Sequence, residues 1–237
     1  SYQGAEGSYS HLAAQRQYSG RPGGVLLTGC ESFRRAAESV LSGEADLALL
    51  PIENTTAGSI NETYDLLGEG GLTITGEVIA AIEHCLLALP GTTIAELAAA
   101  LSHPQALAQC EGFFRAHPHV RAQAEFDTAG AARKVRELGD RRLGAIASFA
   151  AASTYGLEAR ARGIQTQAGN STRFVEVGLH AVPVAEGARA KSSLLLVLAA
   201  RPGVLGEILQ ELARRGLNLT KLESRPIPGN PWSYRFY

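Results

Sequence analysis

The sequence predicts an α/β protein arranged as two lobes about a cleft, followed by a smaller α+β module at the C-terminal end. Three observations carry this prediction. Short apolar runs alternate with segments of helical period from Tyr2 to Leu179, the pattern of largely parallel sheets. Polar clusters recur where a run gives way to a helix, which is where such sheets collect ligands. A stretch of little periodicity, Ala181 to Ala190, then reads as a linker before a β-α-β-β order.

The elements follow in order. A strand begins at Tyr2, Gly4 to Gly7 form a loop, and Ser8 to Tyr18 read as a helix. Val25 to Leu27 read as a strand. Phe33, Ala36, Ala37, Val40 and Leu41 recur at helical spacing, with Gly43 where a C-terminal cap belongs. Asp46 to Leu50 is a strand ending at Pro51. Ser59 and Glu62 fit a capping box that opens a helix to about Leu67. Leu72 to Ile79 alternates like a strand, and Ala80 to Leu89 continues extended to Pro90. Thr93 and Glu96 form a second capping box. Pro104 suits the first helical position, with Ala106 to Phe114 behind it. Ala122 to Phe126 is a strand, and Asp127 or Thr128 caps a helix through Leu138. Leu143 to Ala147 is a strand, Phe149 to Tyr155 a helix closed by Gly156, and Phe174 to Leu179 a strand.

After the linker, Lys191 to Ala200 is an apolar strand. Pro202-Gly203 opens a helix to Arg215, and Leu217 to Ser224 is a strand. A Pro228-Gly229-Asn230-Pro231 turn leads into Trp232 to Tyr237. A ferredoxin-like module would add a final helix and strand, so this one reads as incomplete.

Bulk properties exclude several classes. Formal net charge is −1, so no overall field favours nucleic acid or an anionic membrane, and an anionic ligand must meet a local site. The three cysteines, Cys30, Cys85 and Cys110, are far apart and lack metal-site spacing, which suits a reducing, cytoplasmic setting. No apolar run is long enough for a membrane span and no signal peptide is visible. The sequence contains no Met, so residues are expected to be missing in front.

Five clusters sit at strand-to-helix junctions: Gln3 to Ser8, Glu53 to Ser59, Ser102 to Gln105, Asp127-Thr128, and Ser148. Ser, Thr, Asn and Asp cap helices, which is the plain reading of any one cluster. Free backbone N–H groups at helix starts also hold carboxylates or phosphates. A sixth feature is Gly169-Asn170-Ser171-Thr172-Arg173-Phe174, where polar residues run into a strand. It is either a loop with a solvated cation or a cluster aimed at an anion, since Arg suits a bidentate hold on a carboxylate. There is no phosphate loop, HExxH, GxSxG elbow or GxGxxG fingerprint. The residues alone give a cleft for a small carboxylated ligand.

Taken together, six ordered stretches resemble prephenate dehydratase: YQGAEGSYSHLAA (2–14), LPIENTTAGSINETYDLL (50–67), EHCLLALPG (83–91), LSHPQALAQC (101–110), GAIASFAAASTYGL (144–157) and NSTRF (170–174). RPGVLGEIL (201–209) and NLTKLESRP (218–226) resemble the ACT domain that follows it. The resemblance implies a catalytic domain over 1–182, similar to periplasmic solute-binding proteins. Lobe one would be about 1–78 and 165–182 and lobe two about 79–164, with an incomplete ACT domain over 190–237. It implies decarboxylative dehydration of prephenate to phenylpyruvate without metal or organic cofactor, feedback by phenylalanine, and a homodimer or homotetramer.

Thr172 matches the family's catalytic threonine and is expected to orient the leaving group or relay a proton. Asn54, Ser102 and Gln109 match positions lining the substrate site. Asn170, Arg173, Phe174, Ser8, Glu53 and His84 join them as candidates, with Arg173 and the helix starts near Ser102 and Ser8 as the carboxylate clamp. Effector contacts would fall on Gly203, Val204, Leu205, Asn218, Leu219, Glu223, Ser224, Arg225 and Pro226. The family's Gly-Ala-Leu is Gly-Val-Leu here, so Val204 is expected to tune effector affinity. An arogenate dehydratase and a non-catalytic carboxylate-binding module are the rival readings. A fused chorismate mutase would require a domain before Ser1.

Overall fold

The computed structural model describes residues 1–237 except Ala200, Pro228 and Pro231. It divides into two compact units, one of Ser1–Thr63 with Gly71–Ala181, the other of Tyr64–Gly70 with Val182–Tyr237.

The first unit contains two sheets. The first is built from β1 (Tyr2–Gln3), β2 (Gly29–Cys30), β3 (Ala48–Asn54), β4 (Gly58–Ser59), β5 (Thr73–Ala81) and β11 (Ser171–Gly178). Its order is β2-β1-β3-β11-β5, with β4 hairpinned onto β3. The second is built from β6 (Cys85–Ala88), β7 (Ala99–Ser102), β8 (Arg121–Ala124), β9 (Leu143–Ala147) and β10 (Glu158–Ala161), in the order β10-β6-β9-β7-β8. Both sheets are mixed rather than largely parallel. β1 runs parallel to β2 and β3, and β7 to β8 and β9, but β11 is antiparallel to both β3 and β5. The reason is the return of the chain: β11 comes back from the second sheet and inserts between two strands of the first.

Helices pack on these sheets through small and aliphatic side chains. They are α1 (Tyr9–Tyr18), α2 (Phe33–Leu41), α4 (Pro104–Gln109), α5 (Glu111–Ala116), α6 (Thr128–Leu138) and α7 (Phe149–Tyr155), while α3 (Asn61–Glu69) belongs from Tyr64 onward to the second unit. Ala13, Ala14 and Tyr18 of α1 pack on Leu49 and Phe174, and Ala131, Ala132 and Val135 of α6 pack on Leu87, Leu101 and Ala145. Side-chain caps start five of these helices: Ser8 accepts from His11 N, Ser32 from Arg35 N, His103 from Gln105 N, Asp127 from Gly130 N and Ser148 from Ala151 N.

Several predicted elements differ. No strand forms over Val25–Leu27, and Leu26 is 88% exposed. Gly29 and Cys30 pair with β1 instead, because Gly29 comes so close to the Gly4 carbonyl that a Cβ there would lie 2.6 Å from it. β3 does not stop at Pro51. Arg173 opposes Glu53 while Phe174 opposes Pro51, so Ile52 is an extra residue in a bulge that accommodates the missing proline N–H. Ser59 caps no helix but lies in β4, and α3 starts at Asn61. The predicted Ala106–Phe114 helix is two, broken at Cys110. Thr93 and Glu96 do form a capping box, on a single 3₁₀ turn.

The second unit holds an antiparallel sheet of β12 (Leu196–Val197), β13 (Ser224–Pro226) and β14 (Tyr234–Phe236), ordered β12-β14-β13, with α8 (Val204–Arg214). Its strands are shorter than predicted. Lys191–Leu195 and Leu217–Glu223 are irregular, and the end of the first predicted strand, Ala200, lies outside the described residues, as do two residues of the predicted Pro228–Pro231 turn. Gly203 precedes α8 at φ +85°, a left-handed conformation that a side chain disfavours. In this unit the Arg225 guanidinium grips Asp65 at 2.6 and 3.3 Å, and Arg235 adds a contact at 3.1 Å.

Candidate active site

A cavity of about 320 Å³ opens in the first unit, walled by strands of the first sheet and by helix starts and loops. Thr172 and Phe174 project into it from β11, and Pro51 and Asn54 from β3. Residues two apart on a strand share a face, so Thr172 and Phe174 face the cavity and Arg173 between them faces away. Three helix starts reach the same space: Ser8, Tyr9 and Ser10 of α1, Ser32 and Phe33 of α2, and Asp127 and Thr128 of α6. His103, Gln105 and Ala106 enter from the start of α4, and His84 and Gln109 complete that side. The lining contains no Lys or Arg among the described residues.

The walls are joined by one hydrogen-bond network. Asn54 Nδ2 donates to Thr172 Oγ1 at 3.0 Å and to Asn170 Oδ1 at 2.7 Å. Asn54 Oδ1 in turn accepts from the amides of Thr56 and Ala57, both at 3.0 Å, so the ENTTA turn fixes which way the amide points. Asn170 Nδ2 donates to Gln109 Oε1 at 2.9 Å, and that oxygen lies 2.7 Å from His84 Nε2. Burial pushes the His84 pKa below its ordinary value, partly opposed by the Gln109 hydrogen bond. Burial also lowers His103, partly opposed by Asp127.

The site residues expected from sequence divide. Thr172, Asn54, Gln109, Asn170, Phe174, Ser8 and His84 come together in this wall or its network. Three are corrected. Arg173 is not a clamp: its guanidinium pairs with Glu53 at 3.0 Å and Glu77 at 3.1 Å on the opposite face of the sheet. Glu53 is its partner and does not line the cavity. The Ser102 hydroxyl donates to Ile146 O at 2.5 Å, tying β7 to β9, and is fully buried away from the cavity. Arg225, expected at an effector site, is engaged by Asp65.

Sequence reasoning missed Tyr9, Ser32, Phe33, Ile82 and Phe126 in the lining. Ser32 was recoverable, since it stands where a cap belongs before the Phe33–Leu41 period. Among the described residues no group of three His, Cys, Asp or Glu side chains could hold a metal ion, and no helix is long and apolar enough to cross a membrane.

This fold and wall define a two-lobed α/β protein with a pocket lined by helix starts and side-chain amides. The chain belongs to the prephenate dehydratase family, whose profile matches residues 1–181, and an ACT domain profile matches 192–237. The bifunctional chorismate mutase/prephenate dehydratase of Escherichia coli K12 is 40% identical over 235 residues, covering 99% of this chain and 61% of that protein. Arogenate dehydratase 2 of Petunia hybrida is 44% identical over 226 residues, covering 95% and 56%. The chain thus spans about 60% of the length of such curated relatives. The crystal structure of prephenate dehydratase from Arthrobacter aurescens in complex with L-Phe superposes with a TM-score of 0.81 at 30% identity, covering 99% of this chain and 78% of that one.

Proposed function

We propose that the chain catalyses the decarboxylative dehydration of prephenate to phenylpyruvate. The observation that carries this reading is the state of the Thr172 hydroxyl. Its oxygen accepts from Asn54 Nδ2, and with no acceptor for its own proton among the described residues that proton is free to point into the cavity that Thr172 lines. The reaction breaks the bond between the ring and its carboxylate. The electron pair completes the aromatic ring, the C–O bond opposite breaks, and hydroxide leaves, taking up one proton to become water. A hydrogen bond from Thr172 to the departing oxygen stabilises charge where it develops. The N-terminal amides of α1 are suited to the side-chain carboxylate. Ser8 caps the third, His11 N, so the first two, Tyr9 N and Ser10 N, have no acceptor in the helix.

The ACT region is read as the phenylalanine-sensing part, supported by its family profile and by the L-Phe bound to the Arthrobacter relative. Its contacts would fall on Gly203 to Leu205, Asn218, Leu219 and the Glu223–Pro226 strand, with Val204 tuning affinity. Its exposed Leu194, Leu195, Leu217 and Leu219 suit burial in a homodimer or homotetramer. The three free cysteines support a cytoplasmic setting.

One observation favours arogenate as a second substrate. Glu62 lies on the cavity wall, where a carboxylate would meet the ammonium that replaces the keto oxygen of prephenate. The test is phenylpyruvate formation from prephenate, read by absorbance in base with and without phenylalanine, beside phenylalanine formation from arogenate. Prephenate turnover supports the assignment, and suppression by phenylalanine supports the sensing role. Turnover of arogenate alone transfers the reading to that substrate. Binding of both without turnover makes the chain a binding module.

A further inference from the structure

Helix α3 belongs to both units. Its first turn, up to Thr63, lies in the first unit, and the rest, from Tyr64, in the second. Each part is fastened to its own unit. In the first unit Ile60 N donates to Ile52 O at 3.0 Å, and the buried Thr63 hydroxyl donates to Pro51 O at 2.6 Å. The helix start is thus tied to the two residues of the β3 bulge. Pro51, Ile60 and Glu62 all line the cavity, and Asn54, which holds Thr172, follows Pro51 on the same strand.

In the second unit Asp65 takes two guanidiniums, Arg225 of β13 at 2.6 Å and the buried Arg235 of β14 at 3.1 Å. The Tyr64 ring meets Tyr237 edge-on at 5.2 Å, with Lys221 Nζ 5.1 Å over the Tyr64 ring. Gly68 comes so close to this sheet that a Cβ would collide with the Tyr237 hydroxyl and lie 2.8 Å from Arg235 Nη1. Ion pairs, an aromatic contact and a glycine approach therefore seat the later turns of α3. Glu62 and Asp65 are within one helical turn, ~4.5 Å apart along the axis, so a tilt at one reaches the other.

We propose that α3 is the coupling element between the sheet of the second unit and the cavity: Asp65, held by Arg225 and Arg235, sets the seat of the helix, and Thr63 passes a shift of that seat to Pro51 and the β3 bulge. Coupling of this kind travels through a rigid element joined at both ends by hydrogen bonds and ion pairs. The bulge is the pliant point of β3, because the ladder is already interrupted there. A carboxylate that competes for Arg225, as an amino-acid effector would, takes one of the two guanidiniums from Asp65 and loosens the seat. The inference rests on the proposed dehydration and phenylalanine sensing, but its first readout needs neither turnover nor effector.

The experiment is Asp65→Asn in the full chain, with Gly68→Ala as a second variant that disturbs the same seat without removing a charge. Amide hydrogen exchange is followed first, without ligand. Exchange at Ile60 and Thr63 is expected to rise about tenfold in both variants, although both substitutions lie in the other unit. Changes confined to Tyr64–Glu69, β13 and β14 overturn the proposal. Prephenate turnover is then measured with and without phenylalanine, and phenylalanine binding by calorimetry. Phenylalanine is expected to suppress wild-type turnover at least about fivefold, and that of Asp65→Asn less than about twofold while still binding. Equal suppression of both overturns the coupling, as does a wild type that binds phenylalanine and turns over undisturbed. If the wild type turns over neither prephenate nor arogenate, or binds no phenylalanine, the corresponding reading fails while the exchange result still decides the role of α3.

Discussion

Thr172→Val separates the chemistry from the architecture. Valine keeps the shape of the side chain at this buried position and removes only the hydroxyl. The structural cost follows from Asn54. Its NH₂ has two hydrogens and three acceptors within reach: Asn170 Oδ1 at 2.7 Å, Ser171 O at 3.2 Å and Thr172 Oγ1 at 3.0 Å. Losing Thr172 leaves an acceptor for each hydrogen, so no buried donor is orphaned and destabilisation should stay near ~1 kcal/mol or below. For a protein of this size that lowers the melting midpoint by about 2–4 °C. The catalytic cost is larger. Removing a donor aimed at developing charge slows turnover about 10²–10³-fold, or ~2.7–4 kcal/mol in the barrier. Thr172→Ser keeps the donor and should retain most activity. The assay is phenylpyruvate formation beside a thermal melt of each variant. A folded Thr172→Val enzyme within about tenfold of wild-type turnover refutes the reasoning, because the rate would not then depend on that proton.

Three further outcomes follow from the same geometry. Arg173→Met should leave KM for prephenate within about threefold while lowering stability by ~1 kcal/mol, since it breaks two partly exposed ion pairs, with Glu53 and Glu77, outside the cavity; a KM rise of about a hundredfold in kinetic titrations would restore the clamp. The Asp65 carboxyl is held below its ordinary range, first by the Arg225 hydrogen bond and then by Arg235, against burial. That contribution is complete above the unfolded value near 3.8 and is lost as pH falls through the depressed folded value, so Asp65→Asn should flatten the acid side of a stability-against-pH curve followed by circular dichroism. Gly29→Ala places a methyl 2.6 Å from the Gly4 carbonyl and should cost ~1–3 kcal/mol in urea unfolding, with weakened substrate binding because the displaced loop carries Ser8.

Much of this architecture was legible because its signals are local. β9 over Leu143–Ala147 and α7 over Phe149–Tyr155 were bounded by an apolar run, a serine cap and Gly156, and the structure places them at those residues. Asp127 caps α6 for the same reason. The misreadings are non-local. Pro51 looked like a strand end because the sequence does not show that β11 will pair there through a bulge. Val25–Leu27 had a strand's composition, but no neighbouring strand receives it, and the pairing falls on Gly29, where a backbone must approach. Within the candidate site, Asn54, Gln109, Asn170 and Thr172 were named, yet the hydrogen bonds that unite them span between 55 and 118 positions along the chain. Tyr9 carried no signal, because its place on the wall depends on how the start of α1 meets residues more than seventy positions away.

Arg173 shows how chemical plausibility can mislead. A dianionic substrate suggests a cation, and the only arginine in the NSTRF motif seemed the natural one. Strand alternation turns it to the other face, and Glu53 and Glu77 hold it there. The cavity instead offers the starts of α1, α2 and α6, and in the proposed reaction each would be worth ~0.3–1 kcal/mol to an anion and up to ~2 where partly buried. For the proposed reaction this distribution has a kinetic consequence. A guanidinium on the departing ring carboxylate would stabilise the ground state more than the transition state, because the charge leaves that group as carbon dioxide forms. In the proposed reaction, weak, distributed dipoles would hold the side-chain carboxylate without that penalty. Placing the one strong donor, Thr172, at the leaving oxygen then concentrates stabilisation where charge appears rather than where it disappears.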